Sequence, residues 1–248
     1  MGQEMFGLDL TPLPPKVAIE QMVESRYGFS LVDLGIETQD LADFDQIAID
    51  RNQNYNRCKE FDRLEDDLNF FLAEVGNNEL EVVRKVASSI NKIVHQILEA
   101  SGKETAWICL RSYPSARADG LFRWHFDSIF YPWNKDSIQY RFVMTLTGLP
   151  TFFYFLDKEE KEVRMKIWKR RNDAKYVAGF LDSNLLFIPS REFGVVFMNK
   201  EHGALHSEPP IYEKGRLFLS IVPCSNKEII EVERRVKEAF GLIKHAND

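Results

Sequence analysis

The tightest constraint on the fold is a succession of short strand-like segments between Glu104 and Pro223. Thr105 to Tyr113, Leu121 to Tyr131, Gln139 to Thr147 and Thr151 to Leu156 are rich in aromatic and β-branched residues and are bounded by Gly, Pro, Asn or Asp. Strand character returns at Leu185 to Ile188, Gly194 to Met198, Ala204 to Ser207 and Leu217 to Val222. Strands in such a row, without strand–helix alternation, argue against a parallel α/β sheet and for a jelly-roll barrel. The charged stretch from Asp157 to about Lys175 reads as a helical insertion between strands.

The chain ahead of this region is patterned differently. Pro15 stands where a first helix can start, with Val17, Ile19, Met22 and Val23 at helical spacing and Gly28 as its stop. Phe29 to Ile36 reads as a short strand. From Asp40 to about Ser101 the pattern is helical: Phe61, Leu64, Leu68 and Phe71 form one stripe, and Leu80, Val83, Val86, Ile90, Val94 and Ile97 another. Asn226 to Ile243 closes the chain as an amphipathic helix. The expectation is an α+β protein of one domain spanning residues 1–248: a mainly helical part over 1–103, a jelly-roll core over 104–225 and a C-terminal helix over 226–248. Helices before and after the core are expected on the barrel's outer face.

Composition narrows the setting. With 248 residues, 44% hydrophobic and 19 of them Phe, the chain can bury a substantial core. A formal charge of −6 disfavours general nucleic-acid binding and leaves a local basic patch as the alternative. Cys58, Cys109 and Cys224 lack paired spacing, which suggests a reducing compartment. The first residues carry acids where a signal peptide has basic ones, and no apolar run approaches the length of a membrane span. A cytoplasmic protein is expected, with export by a specialised secretion system as the other route.

Within the strand region, Arg123-Trp-His-Phe-Asp127 holds the chemistry. Residues i and i+2 of a strand project to one face, so His125 and Asp127 point together while Trp124 and Phe126 pack the other way. Alone, this pair reads first as a structural histidine beside a carboxylate. His206, in a short strand stopped by Pro209 and Pro210, supplies a second imidazole; His202, four residues earlier in a turn, is its competitor. Two imidazoles and one carboxylate on one face of a non-haem iron leave three positions open. Arg216, ten residues beyond His206, opens a strand of apolar residues and needs an anionic partner there. That partner is either a protein carboxylate or the distal carboxylate of a diacid.

His125-x-Asp127, His206 and Arg216 on consecutive β-rich segments resemble the signature of the Fe(II)/2-oxoglutarate-dependent dioxygenase superfamily. Arg111-Ser-Tyr-Pro114 resembles that superfamily's tyrosine-bearing strand, and His125-Phe-Asp127, Thr145 to Thr151, Gly194 to Met198 and His206 to Pro210 are similar to an uncharacterised bacterial family of the same fold. The resemblance covers about residues 105 to 223 and implies a double-stranded β-helix, with His125, Asp127 and His206 as metal ligands and catalytic centre. It also implies Fe(II), 2-oxoglutarate as co-substrate and O2, with Arg216, Tyr113 and Ser220 as co-substrate contacts. One departure is Phe218, where many members place Ser or Thr two residues after the arginine; Tyr113 and Tyr140 are candidates for the missing hydroxyl.

The implied activity is hydroxylation or demethylation of a substrate that the sequence does not name. Two other readings stay open: an Fe(II) enzyme with another co-substrate, and a jelly-roll metal-binding or interaction protein without oxygenase activity. Trp124, Phe130, Tyr131 and Trp133 read as core, or as the wall of a substrate pocket. The basic run Lys161, Arg164, Lys166, Lys169, Arg170 and Arg171 reads as a solvated helix face, or as a docking surface for an acidic substrate.

Overall fold

The computed structural model describes residues 10–59, 61–114, 122–131, 138–170, 173–199, 202–209 and 215–240. Leu121, Pro132, Trp133, Arg171, Pro210 and the helical expectation for 241–243 lie outside them. Seven helices are described: α1 (Pro15–Glu24), α2 (Thr38–Asp45), α3 (Leu64–Glu74), α4 (Leu80–Ser101), α5 (Lys161–Lys169), α6 (Ala174–Phe180) and α7 (Glu228–Phe240). The strands are β1 (Phe29–Asp33), β2 (Gln53–Cys58), β3 (Thr105–Tyr113), β4 (Tyr140–Thr147), β5 (Phe152–Tyr154), β6 (Leu186–Phe187), β7 (Phe193–Met198), β8 (Leu205–Ser207) and β9 (Arg216–Cys224).

Six strands form one antiparallel sheet in the order β1-β7-β4-β9-β3-β2, and three form a second in the order β6-β5-β8. The sheets face each other through a shared apolar layer. Phe29, Leu31, Val143, Val195, Phe197 and Phe218 come from the large sheet, and Phe153 and Phe187 from the small one. Strand period explains the division of the large sheet. Phe142, Met144, Leu217, Leu219 and Ile221 turn outward and pack under α1 to α4, while Val143 and Phe218 turn inward. The result is a double-stranded β-helix core with helices laid on its large sheet.

Two expectations change. The helical reading of 40–101 misses β2, whose Gln-Asn-Tyr-Asn-Arg-Cys carries almost no apolar signal. It forms because it zips onto β3 and because its Arg57 is ion-paired with buried Asp67 of α3. Helix α7 does not lie on the outer face. It packs with Trp107, Cys109, Val222 and Cys224, which share the inward side of β3 and β9, so it closes one end of the barrel. Glu228 and Glu233 of α7 hold Lys103 at 2.8 Å and Lys59 at 2.9 Å.

The charged insertion is helical as expected, and α5 and α6 cover the outer face of the small sheet against Trp124, Phe126, Phe152, Tyr154 and Leu205. Arg164 is buried there over the Phe126 ring, while Lys161, Lys166, Lys169 and Arg170 are exposed. Among the described residues no helix is long and apolar enough to cross a membrane.

Candidate metal centre

The strand expected over 121–131 is reduced, among the described residues 122–131, to one isolated antiparallel bridge that joins His125 to His206 of β8. Their backbones exchange both bonds, His125 N–H to His206 O at 2.9 Å and His206 N–H to His125 O at 3.1 Å. This pairing sets the imidazoles side by side, with ring centroids 4.3 Å apart. Asp127, two residues on, turns to the same side. Its Oδ1 lies 3.9 Å from His125 Nε2 and 3.7 Å from His206 Nε2. Among the described residues, these three form the one group of His, Cys, Asp or Glu side chains close enough to share an ion.

The ring orientations are fixed from behind. His125 Nδ1 meets Arg123 O at 2.7 Å and His206 Nδ1 meets Ala204 O at 3.0 Å. A carbonyl can only accept, so each Nδ1 carries a proton and each Nε2 is the atom turned toward Asp127. His206 is buried, and desolvation, with His125 beside it, lowers its pKa to about 4, so its ring is neutral near pH 7. Burial works against the charge of Asp127, yet Arg141, then His206, His125 and Arg111, hold its carboxyl below the ordinary range. A neutral imidazole at His206 and an ionised carboxylate at Asp127 are the protonation states a divalent ion needs. Ligands about 2.0–2.2 Å from one six-coordinate ion stand roughly 2.8–3.1 Å apart, so the donors, at 3.7 Å and 3.9 Å, reach one after closing by up to about 1 Å.

Two buried amides steady the loop that carries Asp127. Gln139 accepts from Phe130 N–H and donates to Tyr131 O, both at 2.9 Å, and Asn199 donates to Ser128 O at 3.3 Å. Arg235 of α7 adds a bond to Ile129 O at 2.8 Å. Arg141 pairs with Asp127 itself, Nη1 to Oδ2 at 2.9 Å. None of these four residues is singled out in the sequence. An arginine among Tyr-Phe-Val-Met on a strand is the one legible signal.

Arg216 is fully buried at the start of β9. Its Nε donates to Leu149 O at 3.0 Å, and its Nη2 to Thr151 Oγ1 at 2.9 Å and Thr145 Oγ1 at 3.4 Å. Phe218 lies beneath the guanidinium, 4.6 Å from its centre. The hydroxyls on Arg216 therefore come from the neighbouring segment 145–151. Tyr113 sits opposite Arg216 in the β3–β9 register and donates to Glu208 Oε1 at 3.3 Å. Ser220 faces the same interior two inward positions further on, opposite Cys109 and Val143. Tyr140 does not belong here: its parity on β4 turns it outward into the helix-covered core. His202 is exposed and lines a cavity of about 610 Å³ with Lys158, Lys161, Arg164 and Trp168, apart from the cluster.

One interior holds both sites. On β4 the inward positions run Arg141, Val143, Thr145, the first on Asp127 and the last on Arg216. Next to the small sheet, Thr151 contacts Arg216, and Phe153, two residues on, pairs with His206. Successive inward positions lie about 6–7 Å apart. A void of about 10 Å³ lies beside Thr145, Thr151 and Phe153, room for about one water.

No family model matches the chain, and no curated protein matches it. Among solved structures it is similar to a Pseudomonas putida prolyl-4-hydroxylase, 11% identical with a TM-score of 0.41, over 88% of this chain and 97% of that one. It is also similar to the rice dioxygenase for auxin oxidation, 10% identical with a TM-score of 0.46, over 94% and 93%. A third is HygX from Streptomyces hygroscopicus, whose structure holds nickel and 2-oxoglutarate: 9% identical, TM-score 0.47, over 84% and 87%.

Proposed function

We propose that this protein is a non-haem Fe(II) oxygenase using 2-oxoglutarate, with His125, Asp127 and His206 as metal ligands and Arg216 as the anchor of the co-substrate's distal carboxylate. The observation that carries this reading is the convergence of two imidazole Nε2 atoms and one carboxylate oxygen inside a barrel that also buries a guanidinium. When bound, Fe(II) with 2-oxoglutarate and O2 supplies the oxidation: one oxygen atom goes to the substrate, and the other to the succinate that forms with CO2.

The chain's residues position and shelter this chemistry. His125 and His206 offer their Nε2 atoms from rings held by carbonyls, Asp127 offers one anionic oxygen, and three positions of a six-coordinate ion stay open. Arg216, with the Thr145 and Thr151 hydroxyls, makes a fork and two acceptor-donor groups for a carboxylate. The apolar layer of Phe153, Phe197 and Phe218 keeps water from the space between. Taking in a five-carbon diacid requires the side chains around the small void to part. Ser220 and Tyr113 border that interior and are further contacts in this reading. The substrate's class is left to experiment.

The test is anaerobic purification, Fe(II) loading and measurement of succinate release with and without 2-oxoglutarate. Stoichiometric Fe(II) and 2-oxoglutarate-dependent succinate support the reading. Fe(II) binding without succinate points to another co-substrate, and failure of any divalent ion to bind rejects the metal centre.

A further inference from the structure

We propose that Arg141 is a positioning residue for the metal centre: its ion pair with Asp127 Oδ2 keeps that oxygen turned away, so that the carboxylate gives an ion one oxygen, Oδ1. The inference rests on the reading of His125, Asp127 and His206 as metal ligands and adds to it a residue on a different strand of the opposite sheet.

The two oxygens of Asp127 face different partners. Oδ1 looks toward the imidazoles, 3.7 Å and 3.9 Å from their Nε2 atoms, whereas Oδ2 is 2.9 Å from Arg141 Nη1. Both side chains are nearly sealed from solvent, with 11% and 13% exposure, so water does not compete for Oδ2. The guanidinium is itself held. Its centre lies 4.6 Å from the Phe130 ring and 5.7 Å from the Trp107 ring. Trp107 is pinned by its Nε1–H to Asn56 Oδ1 at 3.1 Å, and Phe130 by its backbone N–H on buried Gln139. Arg141 thus has a fixed place between aromatic faces, from which it meets the carboxylate.

A free carboxylate beside a divalent ion can turn and chelate through both oxygens, which takes a second coordination position. With Oδ2 engaged by a guanidinium, that turn breaks a buried ion pair. The arrangement therefore keeps the protein's contribution at three positions. It also offsets the carboxylate's charge before an ion arrives, so the buried Asp127 is tolerated in the metal-free protein.

The experiment uses the full chain loaded with Mn(II), whose enhancement of water-proton relaxation counts the exchangeable waters left on the ion. The variants are Arg141→Gln, Arg141→Lys and Asp127→Asn. The expected result is one Mn(II) per chain in Arg141→Gln with a clearly lower relaxation enhancement than wild type, since the freed Asp127 Oδ2 displaces a water, and recovery of the wild-type value in Arg141→Lys. If Arg141→Gln does not fold in EDTA, Mn(II) during refolding is expected to rescue it, because the ion then takes the charge of Asp127. Arg141→Gln with the wild-type relaxation, or unfolded even with Mn(II), makes Arg141 a packing residue only and overturns the inference. Loss of Mn(II) binding in Asp127→Asn keeps the metal reading intact in that event. Unchanged Mn(II) binding in Asp127→Asn removes the metal reading itself.

Discussion

Arg216 Nη2 donates to Thr151 Oγ1 at 2.9 Å, and the same nitrogen reaches Thr145 Oγ1 at 3.4 Å. One short segment, Thr145-Leu-Thr-Gly-Leu-Pro-Thr151, thus wraps the buried arginine from two sides and adds the Leu149 carbonyl on a third. A guanidinium ringed by hydroxyls and a carbonyl keeps its charge and can accept a carboxylate by exchanging neutral partners for an ionic one.

The first prediction concerns this cradle. Thr151→Val removes a hydroxyl while keeping the shape of the side chain. Hydrogen bonds involving charged groups contribute about 1.5–3 kcal/mol, so 2-oxoglutarate affinity is expected to fall by roughly 10- to 100-fold. Arg216→Gln is expected to lower it further. Fe(II) binding should persist in both, since neither residue touches the ligand set. Calorimetric titration of the Mn(II)-loaded protein with 2-oxoglutarate measures the effect, and loss of the metal along with the co-substrate would count against the assigned role of Arg216.

Gly148 offers a second test. Its φ is +85°, and a Cβ there would stand 2.8 Å from Gly215 O and 3.1 Å from Arg216 Cα. Both obstacles are backbone, so neither yields cheaply. Gly148→Ala is expected to destabilise the fold by about 2 kcal/mol or more, from positive-φ strain plus the clash. Urea unfolding checks it. A variant within 0.5 kcal/mol of wild type, about the scatter of ordinary surface changes, would mean that the β4–β5 turn can relax away from Arg216.

Much of this architecture was legible in the residues, and the misses have physical causes. Strands such as Thr105–Tyr113 and Phe193–Met198 announce themselves because inward and outward faces are both apolar. The pair His125 and Asp127 was visible through period two alone. Strand β2 was invisible because its stability comes from β3 and from the Arg57–Asp67 pair, which are distant or adjacent only in three dimensions. Phe218 stands where a hydroxyl for the co-substrate is expected, with Tyr113 and Tyr140 as candidates to replace it, whereas the hydroxyls beside Arg216 belong to Thr145 and Thr151. A search confined to the arginine's own strand cannot find groups supplied by its neighbours. Arg141 was hidden for the same reason: its partner Asp127 lies on another segment of the chain.

Gln139 gives a prediction for the loop that carries Asp127. Buried to 1% exposure, it satisfies Phe130 N–H and Tyr131 O together. Gln139→Leu fills similar volume but leaves both backbone groups without these bonds. Each such loss costs about 1–3 kcal/mol. The expected outcome is a lower thermal midpoint and weaker divalent-ion binding, because residues 127–131 lose a tether. Equal ion affinity in the variant, measured by titration with Mn(II), would show that Asp127 is held without the loop.

The last prediction is a pH dependence whose sign follows from His206. In the folded protein burial holds its pKa at about 4, against about 6.5 for an unperturbed histidine. Between these values the unfolded chain binds a proton at this residue and the folded chain does not. Stability therefore falls as pH drops from about 6.5 to about 4, by up to roughly 3 kcal/mol, and this contribution levels off below. Asp127 acts in a lower window: its depressed carboxyl contributes fully above about pH 4 and loses its contribution as pH falls further. His206→Gln removes the first slope and leaves the second smaller, with Arg141 still holding the carboxyl low. Urea unfolding of the metal-free protein from pH 7 to pH 4 should show a flatter profile in the variant. Parallel profiles would mean that the folded protein protonates His206 as readily as the unfolded chain, and that the ring is not sealed in the barrel.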